Sequence, residues 1–477
     1  MLSRFSYSCP ALTVRNLELT YPGSCKSALS ISELTIPKGE CVVLCGRSGS
    51  GKSSFLKVLN GLVPEYSPAT LSGQITLNQT PLGQLGVEEL SYHVASVFQN
   101  PSTQFFHSHV LQELVFPCEN QGMARADIEK RLAWVNRLFQ LESFYTRKIS
   151  SLSGGQQQRL ALAVAAMQGA DLLVLDEPTA NLDKAGIAMV QEALQALKEQ
   201  GKTIMIAEHR LSYLNQLADR YLYFQDGCLA LDMRGEEFLS QSDEERQKRG
   251  LRRLMPTTFR WETPIQSSQS RSVGTGLSIQ QLSVRQGQKE LFYIEQLEMT
   301  AGQIVGLIGP NGSGKTSLAR YLVGLLEEKS SMIKWQGQAL TAHQRLEKTS
   351  LVMQDVRLQL FAESVDRELM LGKKVRSIDE NLVTRFGLVD LLDRHPVSLS
   401  GGEQQRVMLV ASLLADKDIF IFDEPTSGLD LKQMEQVAQA LLDLKKENKL
   451  VLLISHDEEL LELVCDKIVD IKQLKSR

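Results

Sequence analysis

The chain has 477 residues, of which 43% are hydrophobic and 23% charged, the balance of a globular protein long enough for two or three domains. No apolar run approaches the roughly 18 residues that a membrane-spanning helix needs, so the chain is not expected to cross a membrane by itself. Its 52 basic and 56 acidic residues leave a formal net charge of −4, which excludes a global basic field for nucleic acid. The opening MLSRFSYSCP has no apolar stretch of the kind a signal peptide carries. The cysteines, Cys9, Cys25, Cys41, Cys45, Cys118, Cys228 and Cys465, show no C-x-x-C spacing and read as reduced, buried thiols of a cytosolic protein.

In chain order, the first telling element is the apolar run CVVLC at Cys41–Cys45, read as a strand, followed by GRSGSGKS: Gly46, Arg47, Ser48, Gly49, Ser50, Gly51, Lys52 and Ser53. A loop that wraps a polyanion with backbone N–H groups needs glycines where a Cβ would clash, a lysine for the outer phosphates and a hydroxyl for Mg²⁺, and all three are present. Next comes LSGG at Leu152–Gly155, where Ser153 and Gly155 open the predicted helix QQQRLALAVAAM; free N–H groups and the helix dipole make such a start an anion site. The strand LLVLDEP ends in two carboxylates. Emerging beside a phosphate loop, it can bring Asp176 near Mg²⁺ and Glu177 near an attacking water. TIMIAEH, ending at His209, is nearly all apolar, as expected of a parallel strand covered on both faces.

The first domain is thus expected over 1–241 and a connector over 242–276. Within the connector, 242–254 reads as a charged helix whose Arg246, Lys248, Arg249, Arg252 and Arg253 form a solvated face, and 263–276 as polar loop. The second domain, 277–477, repeats the pattern. IVGLI leads into GPNGSGKT (Gly309, Pro310, Asn311, Gly312, Ser313, Gly314, Lys315, Thr316), then LSGG with Ser400 and Gly402, IFIFDEP with Asp423 and Glu424, and VLLISHD with His456. The two lysines differ by 315 − 52 = 263. The pairs Ser153/Ser400, Asp176/Asp423 and His209/His456 all differ by 247, so the second copy is 16 residues shorter between loop and LSGG. Two tandem α/β domains follow, each with a mostly parallel core sheet.

LSGGQQQR and LSGGEQQR, each ahead of an apolar helix and downstream of a complete phosphate loop, resemble the ATP-binding cassette family over almost the whole chain. The resemblance implies P-loop cassettes with an antiparallel β portion and a helical subdomain carrying the LSGG, and ATP and Mg²⁺ as cofactors. It implies that the two cassettes pair head to tail, with Ser400 and Gly402 completing the Gly46–Ser53 site and Ser153 and Gly155 completing the Gly309–Thr316 site. Gln99 and Gln354 match the glutamine that touches Mg²⁺, alongside Ser53, Asp176, Thr316 and Asp423. Glu177 and Glu424 match the catalytic glutamate, His209 and His456 the switch histidine, and Asp183 and Asp430 the loop that speaks across the pair. Tyr21 matches the aromatic that stacks on adenine. The equivalent place in the second half is Val284 (46 − 21 = 25; 309 − 25 = 284), which leaves Phe292 or Tyr293 as a substitute, or adenine held without stacking.

FQNPSTQFF, at Phe98–Phe106, further resembles the ATPase subunits of energy-coupling-factor transporters, in which the second glutamine, here Gln104, starts a short helix that engages the membrane partner. MQDVRLQLF, with Gln359 and Phe361, is a weaker copy without the proline. This implies a peripheral subunit at the cytoplasmic face of a bacterial cell membrane. There it would drive uptake of a vitamin, vitamin precursor or metal ion through an integral membrane coupling subunit and a small substrate-capture membrane subunit, with no nucleic acid involved. Fused ATPases of this kind are associated with thiamine-precursor uptake. Three other readings stand beside this one. DNA-repair cassettes insert coiled coils or zinc-binding cysteines between loop and signature, and the sequence has neither there. Fused sugar-importer ATPases typically have a degenerate second loop and signature, and F-subfamily translation factors usually carry a longer, strongly basic helical linker.

Overall fold

A computed structural model describes residues 10–24, 26–180, 182–254, 276–328, 331–372 and 378–474. The expected loop over 263–275 lies outside them, as do Cys9 and Cys25. The chain divides into two compact units, Met1–Met255 and Pro256–Arg477.

In the first unit the strands Val94–Val97, Leu172–Asp176, Thr203–Ala207, Cys41–Gly46 and Arg220–Gln225 lie side by side in that order, all parallel. Cys228–Arg234 returns antiparallel from Arg220–Gln225, and through one parallel bridge at Ser30 it joins an antiparallel set built on Pro10–Thr20, Leu29–Pro37 and Thr70–Leu77. Side chains alternate across the strand Cys41–Gly46. Cys41, Val43 and Cys45 face a core shared with the helices, whereas Val42 and Leu44 face a core shared with the antiparallel strands. A strand buried on both faces has no polar position, which is why these segments read as unbroken apolar runs.

The second unit repeats the parallel part as Thr349–Val352, Ile419–Asp423, Leu450–Ile454, Ile304–Ile308 and Lys467–Asp470. Its antiparallel strands, including Gly276–Gln286 and Lys289–Thr300, form a separate four-stranded sheet. In both units the phosphate-loop strand is internal, so its C-terminal end opens into the crevice where ligands of open α/β sheets bind.

The shorter second copy is explained by its helical subdomain and by the stretch before it. Gln99 and Gln354 differ by 255, so eight residues are lost before the glutamine (263 − 255) and eight after it (255 − 247). Three helices, Val110–Asn120, Arg125–Phe139 and Gly154–Gln168, form the first subdomain; Val365–Met370, Glu380–Arg385 and Gly401–Leu413 form the second, whose middle helix has 6 residues against 15.

The segment after residue 241 differs from expectation. Only Asp243–Lys248 is helical, capped by Ser242, and the cation cluster is not a solvated face: Arg246 and Arg252 are buried. Arg246 turns inward because Gln241 O and the Asp243 carboxylate, both at 2.5 Å, accept from its guanidinium. The thiols also divide. Burial pushes Cys41 and Cys45 up to about 12, while Cys228 is exposed.

Candidate active site

Each phosphate loop joins the end of its strand to the first turn of a helix, Lys52–Leu59 or Lys315–Val323. Gly51 (φ +104°) and Gly314 (φ +103°) stand at the helix entry in the left-handed region that glycine alone tolerates cheaply. The loop lysines fold over their own backbone. Lys52 Nζ donates to Gly46 O (2.8 Å) and Arg47 O (2.9 Å), and Lys315 Nζ to Gly309 O (2.7 Å) and Pro310 O (3.1 Å). The ammonium therefore stands at the loop mouth, where outer phosphates would meet it.

At the helix start, Ser53 Oγ donates to Asp176 Oδ1 (3.0 Å) and Thr316 Oγ1 to Asp423 Oδ2 (2.6 Å). Burial raises both aspartates above the usual carboxylate range, against the pull of these hydroxyls and of the loop lysines. One carboxylate and one hydroxyl are hard oxygen donors that suit Mg²⁺, a cation usually held by one or two protein groups plus substrate phosphates. Among the described residues no cluster of three or more His, Cys, Asp or Glu could hold a metal by itself.

The next residue in each half, Glu177 (φ +47°) or Glu424 (φ +53°), is in left-handed backbone, a conformation that costs a non-glycine residue about 1–3 kcal/mol and gathers at functional sites. It is held by its N–H, which donates across to Ala207 O or Ile454 O, both at 2.8 Å. The turn aims each carboxylate back over the sheet end. Glu177 is 8% exposed, accepts from Gln99 Nε2 (3.1 Å) and lies 3.6 Å from His209 Nε2. Burial, then neighbouring Asp176 and Glu208, raise Glu177 well above the usual range, and burial holds His209 well below its own, hence neutral. In the second unit, Glu424 accepts from Ser455 Oγ (3.3 Å) and His456 N (3.2 Å), and His456 Nε2 stands 3.1 Å from Lys315 Nζ and 3.2 Å from Asn311 Oδ1.

Sequence reasoning missed a second buried carboxylate in each half. Glu208 precedes His209 and accepts from Thr179 Oγ1 (2.7 Å) and Tyr213 OH (3.1 Å); Asp457 follows His456 and accepts from Thr426 Oγ1 (2.8 Å). The two sit on opposite sides of the histidine in sequence yet clamp the same threonine of the DEPT turn. Aligning the repeat by position hides that exchange. The only available signal was a carboxylate beside each histidine.

The remaining predicted residues are placed as follows. Ser153 and Ser400 cap the helices Gly154–Gln168 and Gly401–Leu413 in capping boxes with Gln156 and Glu403, and face outward. Gly155 and Gly402 lie in the first turns. Gln354, like Gln99, comes two residues past a strand end and is exposed. Asp183 and Asp430 cap the helices Lys184–Glu199 and Leu431–Lys446, accepting from Gly186 N and Gln433 N, each at 2.8 Å. Gln104 differs from expectation: it follows the short turn Pro101–Thr103 instead of starting a helix, and its Oε1 accepts from Phe98 N (3.0 Å). Gln359 makes the same inward bond to Met353 N (2.7 Å).

Tyr21 is half-buried with its hydroxyl donating to Ser54 Oγ (3.2 Å), one residue past the phosphate loop. Val284 is fully buried. Phe292 is buried too, under Gly314, where an added Cβ would come 2.8 Å from its ring, so neither presents a face to a base. Tyr293 alternates to the other side of the strand. Ring stacking is worth about 1 kcal/mol, several-fold in affinity. Tyr21→Ala is therefore expected to weaken ATP binding several-fold at the first site only, measured by nucleotide titration in a Lys315→Ala background. Val284→Tyr would overpack the core instead of supplying a ring. An unchanged first-site affinity in Tyr21→Ala would discard stacking.

Comparison with known proteins accords with this geometry. The ABC transporter family model matches residues 29–180 and 295–427. A protein of Treponema denticola, provisionally named an ABC transporter ATP-binding protein, is 38% identical over 464 residues, spanning 96% of this chain and 94% of its own length. Another, provisionally named the HMP/thiamine import ATP-binding protein YkoD, of Bacillus subtilis, is 30% identical over 487 residues, spanning 96% and 89%. The solved RNase-L Inhibitor shares the fold, with a TM-score of 0.63 over 95% of this chain and 87% of that one at 24% identity. Each matched span encloses a phosphate loop, an LSGG segment and a carboxylate pair. The chain belongs to the ABC transporter family and is an ATPase with two fused ATP-binding cassettes.

Proposed function

We propose that this chain is the energy-coupling ATPase of an importer of the energy-coupling-factor type, working on separate integral membrane subunits at the cytoplasmic face of a bacterial membrane. Lys52 and Lys315 exchange their backbone partners for the outer phosphates of ATP. Ser53 with Asp176, and Thr316 with Asp423, hold Mg²⁺, which when bound offsets the phosphate charge. Glu177 and Glu424 orient the attacking water and take its proton, with Gln99 and His209 beside the first and His456 beside the second.

The observation that carries the importer reading is a pair of exposed aromatics at one register. Phe106 is 82% exposed and Phe361 79%, each two residues past the inward-tied glutamine. Their backbones are fixed alike. Glu113 accepts from Phe106 N (3.0 Å) and His107 N (2.7 Å), and Glu368 from Phe361 N (2.8 Å) and Ala362 N (2.7 Å). Phe105, by contrast, packs against the core. A buried carboxylate spent on presenting one apolar ring to solvent suits a docking knob, placed seven residues past Gln99 in the first half and seven past Gln354 in the second. Among the described residues no helix is long and apolar enough to cross a membrane, so the path for cargo would come from other chains. The cargo would be a vitamin, a vitamin precursor or a metal ion, and the relative named for HMP/thiamine import favours a thiamine precursor.

A photo-crosslinker at Phe106 is expected to capture an integral membrane protein in native membranes, and one at exposed Tyr66 to capture none. Ribosomal proteins captured at Phe106 and Phe361, with no integral partner, would sink this reading in favour of a soluble translation ATPase.

A further inference from the structure

We propose that Glu208 is a positioning residue for ATP hydrolysis at the first site. Bonded at once to the turn that follows Glu177 and to the turn that carries His209, it sets the spacing of carboxylate and imidazole over the end of the sheet. This builds on the reading that Glu177 and His209 act on the attacking water.

Glu208 follows the strand Thr203–Ala207, which lies between the strand ending in the carboxylate pair and the strand leading into the phosphate loop. Its N–H donates to Leu44 O (3.2 Å), two residues before Gly46, so its main chain is fixed to the loop strand. The side chain is buried, and each of its oxygens accepts twice. Oε2 accepts from Thr179 Oγ1 (2.7 Å) and Tyr213 OH (3.1 Å), Oε1 from His209 N (2.8 Å) and Arg210 N (3.1 Å). Thr179 belongs to the turn closed by Ala180 N donating to Glu177 O (3.3 Å), and Tyr213 is anchored in the core with Leu211 and Leu214. One carboxylate thus reaches from the turn after Glu177 to the main chain of His209. The two side chains it serves stand 3.6 Å apart.

A buried carboxylate is costly to desolvate, and four backbone and hydroxyl donors offset that cost here. A shorter side chain could not reach both turns, and the second unit shows the alternative. Ser455 stands there at the repeat spacing (455 − 208 = 247), and the same work is divided among several groups. Ser455 Oγ donates to Glu424 Oε2 (3.3 Å) and accepts from Asp457 N (3.0 Å), while Asp457 accepts from Thr426 Oγ1 (2.8 Å). The His456 N–H goes to Glu424 Oε2 itself (3.2 Å). The histidine main chain therefore bonds to the catalytic carboxylate in the second unit and to a separate carboxylate in the first, where Glu177 accepts from the Gln99 amide instead. Glu208 would make the first site keep its geometry through one residue that the second site lacks.

The test measures steady-state ATP hydrolysis by the full-length Glu424→Gln protein, whose remaining turnover comes from the first site. Glu208→Ala is expected to lower kcat by about 10- to 100-fold with little change in KM, because the groups that bind phosphate are untouched while the reacting groups are misplaced. Glu208→Gln is expected to keep most of the rate, since its carbonyl can accept from the two N–H groups and its amide can donate to the two hydroxyls. In a His209→Ala background, Glu208→Ala should cost much less than it does alone, because spacing to an imidazole no longer matters once the imidazole is gone. Additive losses, a rise in KM that accounts for the effect, or a glutamine variant as slow as the alanine one would each overturn the proposal. Thermal melting reports folding; should Glu208→Ala not fold, Glu208→Asp, too short to reach both turns, takes its place in the same cycle. Glu177→Gln in the Glu424→Gln protein separates this role from the reading beneath it. If turnover is unchanged, Glu177 is not the base; if turnover stops while Glu208→Ala does not slow it, only the positioning role fails.

Discussion

Replacing Glu177 and Glu424 together by glutamine is expected to leave ATP bound and to slow its hydrolysis by about 10²- to 10⁴-fold, the usual worth of a positioned general base. Each glutamate sits one residue past the aspartate paired with the loop hydroxyl, in left-handed backbone that turns its carboxylate back over the end of the sheet. Glutamine keeps the shape, so the loop, the hydroxyl and the lysine are left as they are, but an amide cannot take a proton. Phosphate release measures the loss, and retention of labelled ATP under the same conditions shows that the site is still formed. The single variants are informative because the sites are built differently: Glu177 accepts from the Gln99 amide, Glu424 from Ser455 and the His456 backbone. Near-normal turnover by the double variant would remove both residues from the proposed role.

Gly46→Ala is expected to abolish nucleotide binding at the first site, whereas Gly309→Ala, the same position in the second loop, should cost much less. Both glycines have strongly positive φ, +140° and +154°. What differs is the space. A Cβ on Gly46 would be driven far inside van der Waals contact with the carbonyl oxygen of Phe224, with Ser50 Oγ at 2.9 Å besides. The neighbouring strand that carries Phe224 is hydrogen-bonded along its length to the loop strand, so the clash cannot be relieved by a side-chain rotation. At Gly309 the nearest atoms are Ile471 Cβ and Ser313 Oγ, both at 3.2 Å, which a few tenths of an ångström of movement would clear. Backbone conflicts of the first kind account for the large end of single-substitution effects, about 4 kcal/mol or more. Nucleotide titration with the opposite loop disabled, together with thermal melting, reads out both variants. Equal tolerance at the two positions would show that both loops are free to shift away from the clash.

The motifs along the chain settle a great deal unaided, because phosphate chemistry leaves few options for composition. Wrapping a polyanion demands particular glycines, one lysine and one hydroxyl at set spacing, and two copies of that set, each with a carboxylate pair at the end of an apolar strand, suffice for two α/β ATPase domains and for the residues around each loop. Burial on both faces likewise makes the parallel strands legible, since it removes every polar position. What depends on long-range neighbours was not legible. No local pattern says that Gln104 bonds back to Phe98 and leaves the next aromatic but one as the exposed ring, or that Glu208 and Asp457 reach the same threonine from opposite sides of a histidine. Nor does a run of cations in a connector announce that Arg246 and Arg252 are buried. A charged segment looks solvated in one dimension, and only the packing of Leu251 and Leu254 against a distant part of the first unit draws Arg252, between them, inward.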